Sequence, residues 1–559
     1  IHWGVACNLL AGLCALAIGV LQRRPGTAAA HVPPTEPVPS TGGLGLGAWA
    51  SLYALSGFCA LALEILWFRI VEVGVKSNAL TFGTVLALYL LGLGAGSLAG
   101  SLFATRVERP LLLFLRIQCL LLAYSGLVLG LMVWLPAGLP GYDWFVSYWR
   151  GRFPFRLGQD QDLVNLLRLY VVFPASLYLV PTLLMGVAFT VLQRAVQDDP
   201  LTSGRKVGVL QAANIGGNVA GSLLVGLLLL DGLGTTGSMR ALLVLGLVFV
   251  VIGARTYGGF RIWAVTLGAL ALALPGQERF WGRLHGVQEE ARFLDEDATG
   301  VVALVERPHP DSWQLFGAGI SDSTLPYGGN HTWLGVIPAV LHPAPRDVAI
   351  VGLGSGDTAW AAGCRAETER VTVFEIRAGQ RRVLERLAAS RHLPRLERLL
   401  RDPRVEVRVR DGRAALLRED RRFDVIEVDA LYPWRAGSGM LYSQEFYELC
   451  ARRLKPRGVL CVWGPTQRAQ DTFRRVFPRI LIIPDLKILV GSGQPLERET
   501  EVWVQRLRSE RLRQYLHPVD PEQAVRFLED VVMVGHKRAY RLLSPNRDLL
   551  PWDEFSFRY

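Results

Sequence analysis

The chain has 559 residues, of which 50 % are hydrophobic and only 19 % charged, with a formal net charge of +11. Soluble globular proteins carry about 25 % charged residues, so this balance, with a mean hydropathy of +0.27, points to a membrane. It excludes intrinsic disorder, a collagen-like chain and a small disulfide scaffold. Most of the charge falls after Pro275, and long stretches before it hold almost no Asp or Glu. Much of the basic excess is Arg flanking apolar runs, where cations orient helices and meet lipid headgroups. No nucleic-acid-binding motif accompanies it, which excludes nucleic acid as a partner. Of the seven Cys, Cys7, Cys14, Cys59 and Cys119 lie in apolar runs, and Cys364, Cys450 and Cys461 form no CxxC or Cys/His spacing; no metal site is expected.

The chain opens at Ile1 and reads at once as a membrane helix, Gly4–Leu21, without a signal-peptide cleavage pattern, so the natural polypeptide is expected to begin earlier. Residues 1–21 are read as one helix and 22–44, with Pro33–Pro39, as a Pro-rich linker. A spanning helix needs roughly 20 mostly apolar residues. Such runs lie at Leu46–Trp67, Ala79–Ala104, Ile117–Leu135, Leu169–Leu192, Val207–Leu230 and Gly237–Ala254, making 45–275 a multi-pass α-helical membrane bundle. Ile262–Pro275 is short for the bilayer. If it crosses, the rest of the chain lies on the outer side; if it is interfacial, the rest lies inside. Lys and Arg cluster in the short loops at Arg23/Arg24, Arg106/Arg109/Arg116, Arg194/Arg205/Lys206 and Arg255/Arg261, which assigns that face to the cytoplasm. Gly92, Gly94, Gly96, Gly100, Gly216, Gly217, Gly221 and Gly226 read as close helix packing. Glu64 and Asn214 are polar in apolar surroundings; an intramembrane carboxylate is a functional candidate, and an interfacial pair of Glu64 with Arg69 is the equally plain reading of the acid.

After Pro275 the period changes. Val301–Val305, Gln314–Phe316 and Gly317–Ile320 read as short strands of a small β-rich module, 276–345. Strands and helices then alternate: Asp347–Val351, Val371–Ile376, a helix near Gly379–Ser390, Val405–Val409, Phe423–Val428, a helix near Ser443–Leu454, and Val459–Trp463. This predicts a parallel α/β Rossmann sheet over 346–500 with an extension over 501–559. Ligands on such sheets bind beyond the carboxyl ends of the strands. Four useful features stand there: the Gly352/Gly354/Gly356 turn, Glu375, Asp411-Gly412 and Asp429. Glycines let a ligand approach backbone. An acid after the second strand suits ribose hydroxyls, Asp411 suits an adenine amino group, and Asp429 suits a general base or an amine-binding carboxylate. Each also has a plain structural use as a tight turn, strand end or helix cap; together they point to an adenosine-type pocket.

The series VGLGSGD, VTVFEI, VRDGRAAL, FDVIEVDALYP and LYSQEFYELCARRLKPRGVL resembles the spermidine synthase family, the polyamine aminopropyltransferases. Upstream, SGFCALALEILWFRI and GLGAGSLAGSLFATRVERP resemble membrane-fused spermidine synthase-like proteins, in which a transporter-like bundle precedes a class I methyltransferase-type Rossmann domain. The likeness runs from about Leu46 and is strongest over Arg346–Trp463. It implies that Gly352, Gly354 and Gly356 hold the tail of decarboxylated S-adenosylmethionine, or of S-adenosylmethionine itself. It also implies that Glu375 holds the ribose, Asp411 with Gly412 the adenine, and that Asp429 assists deprotonation of a small amine substrate. The chain departs from the family where a second acid precedes the strand-four proline: here Tyr432-Pro433 stands. The family's Tyr–Gln/His–Glu cluster reads Asn330-His331-Thr332-Trp333, without the Glu, and Arg435 adds a cation. Weak or lost polyamine synthesis is therefore expected.

The readings that follow are a membrane-embedded transferase of a bacterial inner membrane, a non-catalytic accessory subunit of a larger membrane complex with protein partners, and, third, a transporter with a nucleoside-sensing domain. Glu375 and Asp411 favour the first; Tyr432 and Thr332 favour the second.

Overall fold

The structure is a computed structural model that describes residues 44–155, 162–196, 202–287, 293–307, 312–429, 432–477, 479–494, 499–535 and 542–556. The expected helix Gly4–Leu21 and the linker Pro33–Pro39 lie outside the described residues.

Among the described residues ten helices come first: α1 (Leu46–Gly74), α2 (Leu80–Phe103), α3 (Pro110–Trp134), α4 (Tyr142–Arg150), α5 (Asp162–Val196), α6 (Ser203–Leu224), α7 (Leu230–Leu245), α8 (Leu247–Tyr257), α9 (Arg261–Ala273) and α10 (Gln277–Leu284). Five stretches among the described residues are long and apolar enough to cross a membrane: α1, α2 with its extension to Arg106, α3, α5, and the run Ser203–Tyr257 through α6, α7 and α8. That last run has 55 residues, about 80 Å of helix at 1.5 Å per residue, against a hydrocarbon core of roughly 30 Å. It is broken inside α7 at Gly234, whose φ of 63° and ψ of −171° are not helical. The boundary expected at Gly237 therefore falls at Gly234, where only glycine takes that backbone conformation without strain. Three other helices are longer than the apolar pattern predicts: α1 runs on to Gly74, α3 starts at Pro110 rather than Ile117, and α5 runs from Asp162 to Val196 rather than from Leu169 to Leu192. Proline suits the first helical turn, where its missing N–H has no partner in any case.

The glycines divide by face. A Cβ on Gly96 would overlap the Leu183 carbonyl of α5, and one on Gly217 the Ala54 carbonyl of α1, whereas Gly94 and Gly216 look into open space. The pair expected between Glu64 and Arg69 is not formed. Arg69 reaches instead across 227 residues, with Nη1 3.5 Å from Glu296 Oε1, and donates to the carbonyls of Asp297 and Ala298. A guanidinium at the end of an apolar helix finds more acceptors in the next module than one turn back on its own helix.

That module is a four-stranded antiparallel sheet, β1 (Phe293–Asp297), β2 (Gly300–Glu306), β3 (Trp313–Gly317) and β4 (Ile320–Leu325), in the order β1-β2-β3-β4. The stretch Gly317–Ile320, expected as a strand, is the turn between β3 and β4, with Ala318 and Gly319 at φ 48° and 79°. Helix α11 (Asn330–Leu341) then leads into β5 (Asp347–Val351), α12 (Asp357–Ala362), β6 (Arg370–Glu375), α13 (Ala378–Ser390), α14 (Pro394–Arg401), β7 (Val405–Val409), α15 (Gly412–Arg418), β8 (Phe423–Val428), α16 (Gln444–Arg453) and β9 (Leu454–Trp463). With β10 (Arg479–Ile483), β11 (Ile488–Ser492) and β12 (Val532–Gly535) these strands form one sheet, ordered β12-β10-β11-β9-β8-β5-β6-β7. From β9 to β7 all pairs are parallel. Chain order runs outward from β5 through β6 to β7 on one side and through β8 to β9 on the other. The reversal between β5 and β8 is the crevice where such sheets receive ligands.

Candidate functional site

A cavity of ≈ 250 Å³ opens at that crevice, and its lining includes Gly352, Gly354, Glu375, Asp411, Gly412 and Asp429. Five of these six stand just past the end of a strand and Glu375 is the last residue of β6; parallel pairing brings four strand ends to one edge. The loop after β5 is held by its neighbours, with Gly352 N donating to Phe374 O at 2.9 Å and Asp429 N to Val351 O at 3.0 Å. Gly354 takes a φ of 54°, and a Cβ there would come 3.0 Å from Asp429 Oδ2. Gly356 is not among the lining residues. A Cβ on it would meet Leu399 and the Tyr327 hydroxyl, and it is the N-cap of α12 with φ 88°. Its glycine is required by the turn.

Glu375 is 5 % exposed. Its Oε2 accepts Leu353 N at 2.8 Å and its Oε1 accepts Arg377 N at 2.9 Å. The carboxylate therefore ties the β5 loop to the end of β6. Asp411 caps α15, its Oδ1 accepting Ala414 N at 2.6 Å, so it is a helix cap and a cavity wall at once.

Three residues that the sequence reading left without a role stand at the site: His331 and Gln380 line the cavity, and Asp357 is buried beside it without lining it. His331 Nδ1 lies 2.7 Å from Asp429 Oδ1, joining α11 to the end of β8. Asp357, buried at the start of α12, accepts from Thr332 Oγ1 at 2.6 Å and Gly328 N at 3.4 Å. Burial pushes its carboxyl up to about 6. Gln380, which lines the cavity, donates to Gly354 O at 3.0 Å. The signal for Asp357 was the residue after the third glycine. His331 stood in the stretch Asn330–Trp333 compared with the family cluster, but nothing local showed its partner, which is 98 positions away. The residues at the family departures serve the structure: Thr332 supports Asp357, and Tyr432 stacks on Trp434 with ring centroids 5.2 Å apart. Among the described residues no group of three or more His, Cys, Asp or Glu is placed to hold a metal ion.

Residues 329–471 match the family described as the spermine/spermidine synthase domain. The C-terminal part of the chain carries a spermidine synthase-type domain. A polyamine aminopropyltransferase of Thermotoga petrophila is 32 % identical over 129 residues, covering 23 % of this chain and 42 % of the relative. One of Nitrosomonas europaea is 37 % identical over 161 residues, covering 26 % of this chain and 48 % of the relative. The chain thus spans less than half the length of either relative. A crystal structure of spermidine synthase with the transition-state analogue AdoDATO aligns at 21 % identity and a TM-score of 0.31, over 46 % of this chain and 81 % of that one.

Proposed function

We propose that this chain is a membrane-embedded transferase of a bacterial inner membrane. Its spermidine synthase-type domain takes decarboxylated S-adenosylmethionine, or a related adenosyl sulfonium, as donor and passes an alkyl group to an amine held at Asp429. The observation that carries the reading is the convergence of Gly352, Gly354, Glu375, Asp411 and Asp429 on one cavity at the sheet's switch point. In this reading Glu375 and Asp411 bind the ribose and adenine. Asp357 places a carboxylate close to Asp429 and His331, where a cationic tail of the donor would be neutralised. Asp429 accepts the amine proton, and His331 orients its carboxylate through the 2.7 Å contact. The helices before Pro275 anchor the domain at the lipid bilayer. Activity toward putrescine is weak in this reading, because the positions expected to hold a far ammonium carry Tyr432 and Thr332.

Calorimetry with the purified full chain and decarboxylated S-adenosylmethionine tests this. Charged hydrogen bonds contribute about 1.5–3 kcal/mol, so Glu375→Ala should weaken donor affinity by roughly tenfold or more. No measurable binding by the unaltered protein would remove the reading. An accessory subunit with a retired site is the alternative. It is favoured by one observation, that both Glu375 oxygens already accept backbone amides.

A further inference from the structure

A second cavity, of ≈ 320 Å³, opens on the C-terminal half of the chain and shares no lining residue with the first. Its floor is apolar, with Leu325, Leu393 and Leu396 all buried. Its charged side chains are Arg395 and Arg398, three residues apart on α14, with the exposed His517 beside them. No Asp or Glu is among the described lining residues.

Both guanidiniums lie over aromatic rings. Arg395 Cζ is 5.5 Å from the ring centroid of Trp360, and Arg398 Cζ is 5.5 Å from that of Tyr515. The two rings stack on each other, with centroids 5.3 Å apart and planes at 17°, and Tyr515 Oη donates to Trp360 O at 2.8 Å. A guanidinium over a ring is held by its face and keeps the N–H donors at its edge for another partner. Arg395, half-buried, gives Nη1 to Tyr327 O, which fixes it in place. Arg398 is exposed, and its donors have no hydrogen-bond or ion-pair partner among the described residues.

The acids around this pair are engaged elsewhere. Glu397, on the same helix, accepts Leu393 N at 3.2 Å and contacts His392 and Arg401. Asp402 pairs with Arg404 at 2.7 Å. Asp357 bears on Arg395 but does not line this cavity. Like charges three residues apart on a helix repel, and here nothing in the cavity wall neutralises the outer one.

We propose that this second cavity binds a phosphate monoester with an apolar body, the phosphate on the edges of Arg398 and Arg395 and the body on the leucine floor. The guanidinium fork matches phosphate oxygens, and a phosphate monoester carries a charge of about −1.5 to −2 at neutral pH, against two guanidiniums. Burial of the apolar body supplies the rest of the affinity. The inference does not rest on the transferase reading, because the site is separate from the donor cavity.

Calorimetry on the full chain in detergent tests it, with phenyl phosphate, inorganic phosphate and benzoate compared at one ionic strength. Inorganic phosphate lacks the apolar body, and benzoate lacks the second charge. Phenyl phosphate should bind about tenfold or more tightly than either, and it should raise the unfolding temperature. Arg398→Gln, at an exposed side chain, should keep the fold and weaken phenyl phosphate binding by about tenfold. Arg398→Lys should restore only part of it, since an ammonium has no planar fork. No binding of phenyl phosphate overturns the proposal, as does equal binding of either control. Unchanged affinity in Arg398→Gln also overturns it, since the anion would then sit elsewhere. Decarboxylated S-adenosylmethionine binding, measured separately, stays as it is in every one of these outcomes, so this reading and the transferase reading fail independently.

Discussion

Asp357, at the start of α12, and Glu427, in β8, are buried acids that differ in what surrounds them. Asp357 has two hydrogen-bond donors and is raised from 3.8 to about 6 by burial. The folded state therefore binds this proton more tightly than the unfolded chain. Its contribution to stability is fully present below pH 3.8 and is lost as pH rises to about 6. Asp357→Asn should flatten that part of the stability–pH curve, read by thermal unfolding in detergent between those limits; an unchanged slope would mean that another group titrates there. Glu427, in the middle of β8, is 0 % exposed. Neither carboxyl oxygen has a hydrogen-bond partner, and burial holds it well above the ordinary carboxylate range. It faces Asp429, Asp357 and Cys461. An unsatisfied buried polar group costs about 1–3 kcal/mol, so Glu427→Leu, close in volume, should raise the unfolding temperature. Lower stability would show that the acid has a partner the fold depends on.

At the scale of elements, the small-residue stripes of α2 and α6 have one packed face and one open face. Gly96 and Gly94 are two residues apart on the same helix, and only Gly96 lies against backbone. Gly96→Ala should force α2 from α5 and lower the unfolding temperature. Gly94→Ala should leave it unchanged or raise it, since alanine is about 1 kcal/mol better than glycine inside a helix. Equal effects would contradict this packing. These faces could not be told apart in the sequence, because both sets of glycines stand at helical spacing in apolar runs and the partner helix lies elsewhere in the chain. The strands of the Rossmann sheet were legible. Asp347–Val351, Val405–Val409 and Phe423–Val428 have the bounds the sequence predicts: the first and last are buried almost throughout, as central parallel strands are, and the edge strand Val405–Val409 alternates Val with Glu and Arg. The module strands were legible only in part. β1 is half polar, FLDED, and its pairing with β2 supplies what its sequence does not.

For the whole molecule, Glu296 joins the bundle to the sheets. Its side chain is 0 % exposed and lies 3.5 Å from Arg69 of α1. It also accepts Thr235 N of α7 at 3.0 Å and Trp281 Nε1 of α10 at 2.8 Å. Arg382 of α13 continues the chain of contacts, with Nη2 2.8 Å from Asp297 Oδ2. Thr299, two residues further, lines the cavity. Removing one partner of a buried ion pair typically costs about 3–5 kcal/mol, because the other charge stays buried. Arg69→Ala should accordingly loosen the bundle from the β-rich module, read as faster proteolysis within 285–300, while Arg69→Lys should restore part of the protection. Unchanged cleavage would show that the two parts hold together without this pair.

The sequence by itself determined the apolar runs, the switch to alternating strands and helices after Pro275, and the glycines and acids at four strand ends. All are local patterns, set by the period of each element and by the turn that follows it. Tertiary structure alone decided that His331 meets Asp429, that Arg69 turns to Glu296 rather than Glu64, that Gly356 serves a turn while Gly354 faces the cavity, and that Arg435 bridges to Asn78, beyond the end of α1. Each of these depends on which distant segment arrives at a given strand end or helix end. Buried charges and close backbone contacts are satisfied across 98 or 227 residues, a separation over which residue spacing carries no information.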